Sequence, residues 1–459
     1  MRPTVFFVIP ALILSLTFIW SRAPGQAARA GPAAPAALHA VLVGLMPRGA
    51  ALGDADLEAQ LGGPILRRLP EIAAVRLGLA DSETPAAAVA RLRASPLVEY
   101  AEPDLFVRDS SVPNDALYSG QSAYLALIEA PQAWDVEEGN ESVLVAVLDS
   151  GVDPAHEDLQ GKIWTNPLEL PGNGVDDDHN GCVDDVNGCS FVTPAGADPS
   201  CEGTVAGSIA DDNGHGTFVA GIIAARGHNG IGVIGAAPGV TILPVKILDC
   251  LGGGTAGDAA AGLLYAAHAG ARVANISFGA EGESRTLANA IHEVTTRYGM
   301  TVVAATGNED RNTVTFPAKL ADVIAVGSSG TPADAGARSA FSSWGPEVTV
   351  VAPGQNIIST VPKQFCGHGW LCVGNDQPYA LASGTSFAAP LVSALAALID
   401  SRYPNLSPEA VRQIITSTAA PLPDGTTPKW AGSGRIRMRA ALGVRRYAAG
   451  VAGLSKQTQ

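Results

Sequence analysis

From residue 116 onward the chain repeats one pattern, a short apolar, β-branched run followed by a longer segment with helical periodicity. The runs lie at 143–148, 241–247, 273–276, 301–305 and 323–326, and the helical segments at 218–225, 258–269, 284–298, 387–400 and 408–417. A strand that is apolar at every position has no solvent face and must be covered on both sides. Alternating such strands with helices predicts an α/β domain with a mostly parallel central sheet and helices on both faces. In sheets of this kind, functional groups gather beyond the carboxyl ends of the strands. Asp149 closes the first run and sits at such an end. Burying a carboxylate there is costly unless it is paired.

At 459 residues the chain has room for more than one folding unit. Residues 1–30 read as an export signal, with Arg2 at the start, an apolar stretch over 5–20 and a small-x-small site at Ala28-Arg29-Ala30. That stretch is shorter than the ~20 residues of a membrane span. A cleaved signal and a secreted product with no stable membrane association are therefore expected, with an uncleaved anchor as the alternative. Residues 37–108 read as a small α+β domain, with strands at 38–45, 72–77 and 98–103 and an Ala-rich helix at 86–95. Residues 109–115 form a polar, Pro-containing linker suited to cleavage. The α/β domain then spans 116–445, and 446–459 is a short tail.

The formal net charge of −15 argues against nucleic-acid binding, which needs a basic face. The six cysteines at 182, 189, 201, 250, 366 and 372 suit disulfides in an exported chain. Cys366 and Cys372 make an easy local pair; the remaining connectivity is open.

Two further Gly-flanked stretches join Asp149. His215 lies in Asn213-Gly214-His215-Gly216-Thr217, ahead of an apolar helix. Ser386 lies in Ser383-Gly384-Thr385-Ser386, with Gly384 expected to permit a sharp turn and Pro390 expected in the first helical turn. Serine needs a neighbouring base to act as a nucleophile, and the base needs a partner that fixes its tautomer. An Asp, a His and a Ser supply those three parts. A fourth stretch, Ala304-Ala305-Thr306-Gly307-Asn308, offers the Asn308 amide as a donor to an oxyanion, together with the Ser386 N–H at a helix start. The order Asp, His, Ser and the lack of a G-x-S-x-G elbow around Ser386 exclude the lipase arrangement.

The motifs VAVLDSGVDPAHEDL, NGHGTFVAGIIAA, AATGN and LASGTSFAAP resemble the signatures of the subtilisin-like serine peptidases, over roughly residues 115–445. The resemblance implies Asp149, His215 and Ser386 as the triad, Asn308 as the oxyanion donor, and peptides and proteins as substrates. Residues 37–108 are similar to the family's inhibitory pro-domain, which implies an intramolecular inhibitor removed by self-cleavage near the linker. Gly252, Gly253, Gly254, Ser277, Phe278 and Gly279 resemble the two segments that flank an extended substrate. Glu309 and Asp310 are placed at the rim of the first specificity pocket. A selective processing protease and an inactive protease fold used for binding are the competing functions.

Structural calcium is also expected. Asp176, Asp178, Asn180 and Asp184 crowd one loop, whose first half resembles an EF-hand start, although Asn187 stands where that loop needs a glutamate. Asp158 and Asn229 match the family's tight calcium site, with one extra residue before the 228–233 loop.

Overall fold

The computed structural model describes residues 40–80, 83–104, 112–192, 201, 208–331, 337–367, 369–373, 377–422 and 430–444. The export signal, residues 109–111 of the linker and the 446–459 tail lie outside them. The chain divides into two units, Met1–Asp109 and Ser110–Gln459.

The first unit contains β1 (Ala40–Leu45), α1 (Pro47–Ala50), α2 (Asp54–Leu61), β2 (Ile65–Leu69), β3 (Ala74–Gly78), α3 (Pro85–Leu92) and β4 (Val98–Pro103). Its strands pair in the order β2-β3-β1-β4, with the registers antiparallel. Alternate residues Val41, Val43, Val75 and Leu77 turn to one face and pack with Leu57, Leu61, Val89 and Leu92 from α2 and α3. Each such aliphatic side chain contributes about 1.5–3 kcal/mol when fully buried. Thr84 starts α3 by accepting the Ala87 N–H at 3.3 Å, with Pro85 in the first helical turn.

The second unit is built on a seven-stranded sheet of order β11-β10-β9-β8-β5-β7-β6. Its strands are β5 (Leu144–Asp149), β6 (Cys189–Ser190), β7 (Thr241–Lys246), β8 (Val273–Ile276), β9 (Thr301–Ala305), β10 (Val323–Ser329) and β11 (Val350–Pro353). All of the pairings are parallel. β5 is buried along its whole length. Val145 and Val147 join the core on one face, while Leu144, Ala146 and Leu148 join the core on the other. The first face is covered by α4 (Tyr118–Leu127), α5 (Ala130–Trp134), α6 (His215–Ala224), α9 (Thr385–Arg402), α10 (Pro408–Thr418) and α11 (Met438–Leu442). The second face is covered by α7 (Ala256–His268) and α8 (Arg285–Thr296). A two-stranded antiparallel ribbon, β12 (Ile357–Thr360) with β13 (Tyr379–Ala382), packs against α6.

Helix position follows composition. In α8 only Leu287, Ala290, Ile291 and Val294 are buried, the spacing of a one-sided helix. In α6 every residue after His215 is buried, as suits a helix apolar all round. Disulfides join Cys182 to Cys189, Cys201 to Cys250 and Cys366 to Cys372. Among the described residues, no helix is long and apolar enough to cross a membrane.

Candidate active site

Successive strands leave β5 in opposite directions, β6 and β7 to one side and β8 to β11 to the other. A crevice opens at the carboxyl end of such a reversal, and Asp149 is the last residue of β5. Its carboxylate is fully buried and accepts the Ser150 N–H at 2.8 Å. His215 is the first residue of α6, and its Nδ1 lies 2.8 Å from Asp149 Oδ1 and 3.0 Å from Oδ2.

The glycines around His215 have separate causes. Gly214 precedes the helix with φ of +98°, a left-handed conformation that side chains resist. A Cβ on Gly216 would stand 2.0 Å from the Gly151 carbonyl oxygen, so only glycine lets α6 approach Asp149 this closely. The helix start is fastened by Asp211, which is buried and accepts hydrogen bonds from Ser150 Oγ, Asn213 N, Gly214 N, Thr217 N and Thr217 Oγ1. Lys246, also buried, donates to the Ser150 carbonyl and to Asp212. The sequence reading singled out neither Asp211 nor Lys246. Asp211, four residues ahead of a helix start, was the available signal.

Ser386 is the second residue of α9, where the first N–H groups have no intrahelical acceptor. Gly384 makes no sharp turn; its backbone is extended, with φ 168° and ψ 158°. Pro390 stands beyond the first helical turn, inside α9. Having no N–H, it frees the carbonyl four residues back, which is that of Ser386. The Ser277 hydroxyl takes that carbonyl at 2.9 Å, and the Ser386 hydroxyl in turn donates to the Ser277 carbonyl at 2.9 Å. Asn275 and Ser393 extend the clamp, with Asn275 Nδ2 on Ser277 Oγ and Ser393 Oγ on Asn275 Oδ1, each at 2.8 Å. Among the described contacts, the Ser386 hydroxyl engages Ser277 rather than His215. Catalytic hydrogen bonds often tighten only when substrate binds.

Asn308 follows β9, and its Oδ1 accepts Thr385 N at 2.8 Å and Thr385 Oγ1 at 2.9 Å. The carbonyl end is committed to the start of α9, and the amide nitrogen is the end available to donate. His215, Asn308 and Ser386 line one open cleft of about 750 Å³. Phe387 supports it, with its ring 5.4 Å from that of His215 and 4.5 Å from that of Phe218.

Ser277, Phe278, Gly279 and Gly252 line the same cleft. Gly253 and Gly254 are not among its lining residues. Gly253 closes a turn on Asp249, and a Cβ on Gly254 would meet the Ile247 carbonyl oxygen at 2.2 Å. Glu309 lines the cleft and accepts from Ser343 Oγ, whereas Asp310 pairs with Arg338 at 2.6 Å and is not a lining residue. Arg311, Lys319 and Glu281 also line it, so its charge is mixed.

Burial acts to lower the His215 pKa. The Asp149 charge and hydrogen bond, with help from Asp211, outweigh burial and hold it above the usual histidine value.

The expected metal residues divide. Asp158 is buried and bonds Asn229 at 2.7 Å. Asp115, which the sequence reading omitted, is buried beside the same loop and accepts the His228 and Asn229 N–H groups. Burial raises the Asp158 pKa to about 6, and the neighbouring Asp115 adds to the rise. Two buried carboxylates with no lysine or arginine partner among the described ion pairs fit a hard cation. In the acidic loop, Asp176 caps the turn at Asn180 and Gly181, and Asp184 caps Asn173 and Gly174. Neither belongs to the acidic cluster of Glu169, Asp178 and Asp185, which could hold a metal ion. Asn180 turns its amide nitrogen toward Asp178 and Asp185.

Comparison with known proteins agrees with this architecture. A model described as the subtilase family matches residues 140–434, and one described as the fervidolysin N-terminal prodomain matches residues 24–104. A thermophilic serine proteinase of Bacillus sp. (strain AK1) is 38% identical over 335 residues, covering 72% of this chain and 70% of the relative. Thermitase of Thermoactinomyces vulgaris is 34% identical over 333 residues, covering 72% and 99%. The solved structure of a protease from Pseudoalteromonas arctica has a TM-score of 0.57 and 29% identity, covering 72% of this chain and 99% of that one. Fold and relatives together define a serine-type endopeptidase preceded by a prodomain. The chain belongs to the subtilase family.

Proposed function

We propose that the protein is a secreted endopeptidase, made as a self-processing zymogen, in which Asp149, His215 and Ser386 act as the triad. The observation that carries this reading is the hydrogen bond from buried Asp149 to His215, which lines one cleft with Ser386 and Asn308. In the reaction, Ser386 Oγ turns from the Ser277 carbonyl, passes its proton to His215 Nε2 and attacks the substrate carbonyl carbon. Asp149 holds the Nδ1 proton and stabilises the imidazolium. The Asn308 amide and the Ser386 N–H receive the oxyanion. His215 then protonates the leaving amine, and water hydrolyses the acyl-enzyme by the reverse path.

The mixed charge of the cleft supports broad specificity rather than selection for basic side chains. Residues 37–108 serve as the intramolecular inhibitor, released by cleavage in the 109–115 linker, and residues 116–445 form the mature enzyme. Calcium is structural, with Asp115, Asp158 and Asn229 holding one ion; it takes no part in the acyl transfer.

Phenylmethylsulfonyl fluoride tests the nucleophile. It is expected to stop hydrolysis and to leave one label, on Ser386; mass spectrometry locating the label on another serine would remove the assignment.

The acid limb of activity gives a second check. The base must be neutral, so kcat/KM should fall as pH drops through a value above the ordinary ~6.5 of histidine. Asp211→Asn removes one of the charges that raise it and should move the limb to lower pH. An unmoved limb would show that Asp211 holds the helix start without tuning the base.

A further inference from the structure

We propose that Trp370 is a positioning residue for His215, and that the loop closed by the Cys366–Cys372 disulfide holds its indole against the start of α6. The inference rests on His215 acting as the general base.

The loop interrupts the β12–β13 ribbon, between Thr360 and Tyr379. Its first limb makes a single 3₁₀ turn at Lys363–Phe365. Its returning limb is added to β13: the Val373 N–H donates to the Tyr379 carbonyl at 2.8 Å, and the Leu371 carbonyl accepts the Leu381 N–H at 2.9 Å. Gly367 and Gly369 have φ of +78° and +100°, a region where glycine is free and other residues are not. A turn made of such residues has many open conformations to lose on ordering. The disulfide joins the two limbs, with Cα atoms 5.3 Å apart, and removes much of that freedom before Trp370 is seated.

Trp370 spans the first turn of α6. Its Nε1–H donates to the Asn213 carbonyl at 3.0 Å. That carbonyl precedes the helix and lies outside its ladder, which begins with the Gly214 carbonyl accepting the Phe218 N–H at 3.1 Å. The indole sits against bare backbone at Gly214, where a Cβ would stand 2.7 Å from Nε1. It then stacks on the Phe218 ring, with centroids 5.1 Å and planes 23° apart. Gly214 and Phe218 are one helical turn apart and share a face, so the indole grips the helix on both sides of His215 in sequence. The ribbon itself holds the same turn, since Thr360 Oγ1 and Ser359 Oγ donate to the Thr217 and Phe218 carbonyls, both at 2.7 Å. Trp370 is not among the residues lining the cleft, so its effect falls on the base rather than on substrate affinity. Misplacing a reacting group by about 1 Å slows a reaction on the order of 10²-fold.

The test measures kcat in the enzyme expressed as the full chain, counted per serine labelled to completion by phenylmethylsulfonyl fluoride, so that misfolded molecules do not enter. Trp370→Ala should lower kcat per labelled site roughly 10–100-fold with KM unchanged. Trp370→Phe keeps a ring on Phe218 but loses the N–H, and should lose less. Cys366→Ser combined with Cys372→Ser opens the loop without altering the indole and should lower kcat in the same direction. Leu371→Ala changes a 70% exposed side chain of the same loop and should leave kcat as it is. If Trp370→Ala does not fold, Trp370→Phe and the double serine variant decide. Unchanged kcat per labelled site in the folded variants would overturn the proposal. A rise in KM alone would also overturn it, by making Trp370 a substrate contact. Full turnover in His215→Ala would end the catalytic reading and this inference with it, whereas an inactive His215→Ala beside fully active Trp370 variants would remove this inference alone.

Discussion

Ser386→Ala is expected to lower kcat for peptide hydrolysis on the order of 10⁶-fold, a scale set by subtilisin's own nucleophile. The change removes one oxygen at the start of α9 and disturbs little else. Ser277 would lose the hydroxyl it receives at its carbonyl, while its own hydroxyl would still hold the Ser386 backbone carbonyl that Pro390 leaves free. The cleft and the Asn308 amide remain, so hydrolysis should stay roughly 10³–10⁴ above the uncatalysed rate, the residue of activity that binding and oxyanion stabilisation supply without a nucleophile. Self-processing should fail with the same change. Intact mass of the purified product should show residues 37–108 still attached; a normally matured Ser386→Ala product would mean that another protease does the cutting. Full turnover in that variant would end the triad assignment.

Asp149→Asn should lower kcat by about 10⁴, or about 5.5 kcal/mol of transition-state stabilisation, by a different route. Asp149 is fully buried and holds His215 through Nδ1. As a carboxylate it can only accept, so the imidazole must carry its proton on Nδ1 and leave Nε2 bare for the serine proton. An amide can turn its NH2 to Nδ1, which moves the imidazole proton to Nε2 and blocks the base. The same amide can keep the Ser150 N–H on its oxygen, and removing a buried charge relieves desolvation. Thermal stability should therefore be kept or slightly raised while activity falls. A variant that loses activity and melting temperature together would point to a structural role for Asp149 instead.

Much of the fold was legible because fully buried parallel strands are apolar at every position. The runs at 273–276 and 301–305 coincide with β8 and β9. The helices α2 and α4 were not anticipated. The strands not anticipated are short: β6 has two residues, β2 has five, and β11, β12 and β13 have four each. Such strands are held by pairing with other strands rather than by their own periodicity. The site was legible where a motif carries its own glycines and helix start, as at His215. Pro390 was visible as a residue but not as the cause of the Ser277–Ser386 clamp, because its effect depends on a partner 109 positions from Ser386.

The acidic loop separates the two levels most clearly. Counting carboxylates locates a candidate cation loop but not its ligands, since Asp176 and Asp184 spend their oxygens on local turns while Glu169 folds back from outside the motif. The sequence by itself determined the layered parallel sheet and the order of Asp149, His215 and Ser386, because apolar periodicity acts on neighbouring residues, whereas the glycine required at 216 answers to the Gly151 carbonyl that only the fold brings against it. Only the tertiary structure decided that Ser277 grips Ser386, that Asp211 fastens the start of α6, and that Glu169 meets Asp178 and Asp185. Those contacts arise where separate segments cross, and burial and hydrogen-bond geometry at the crossing set them.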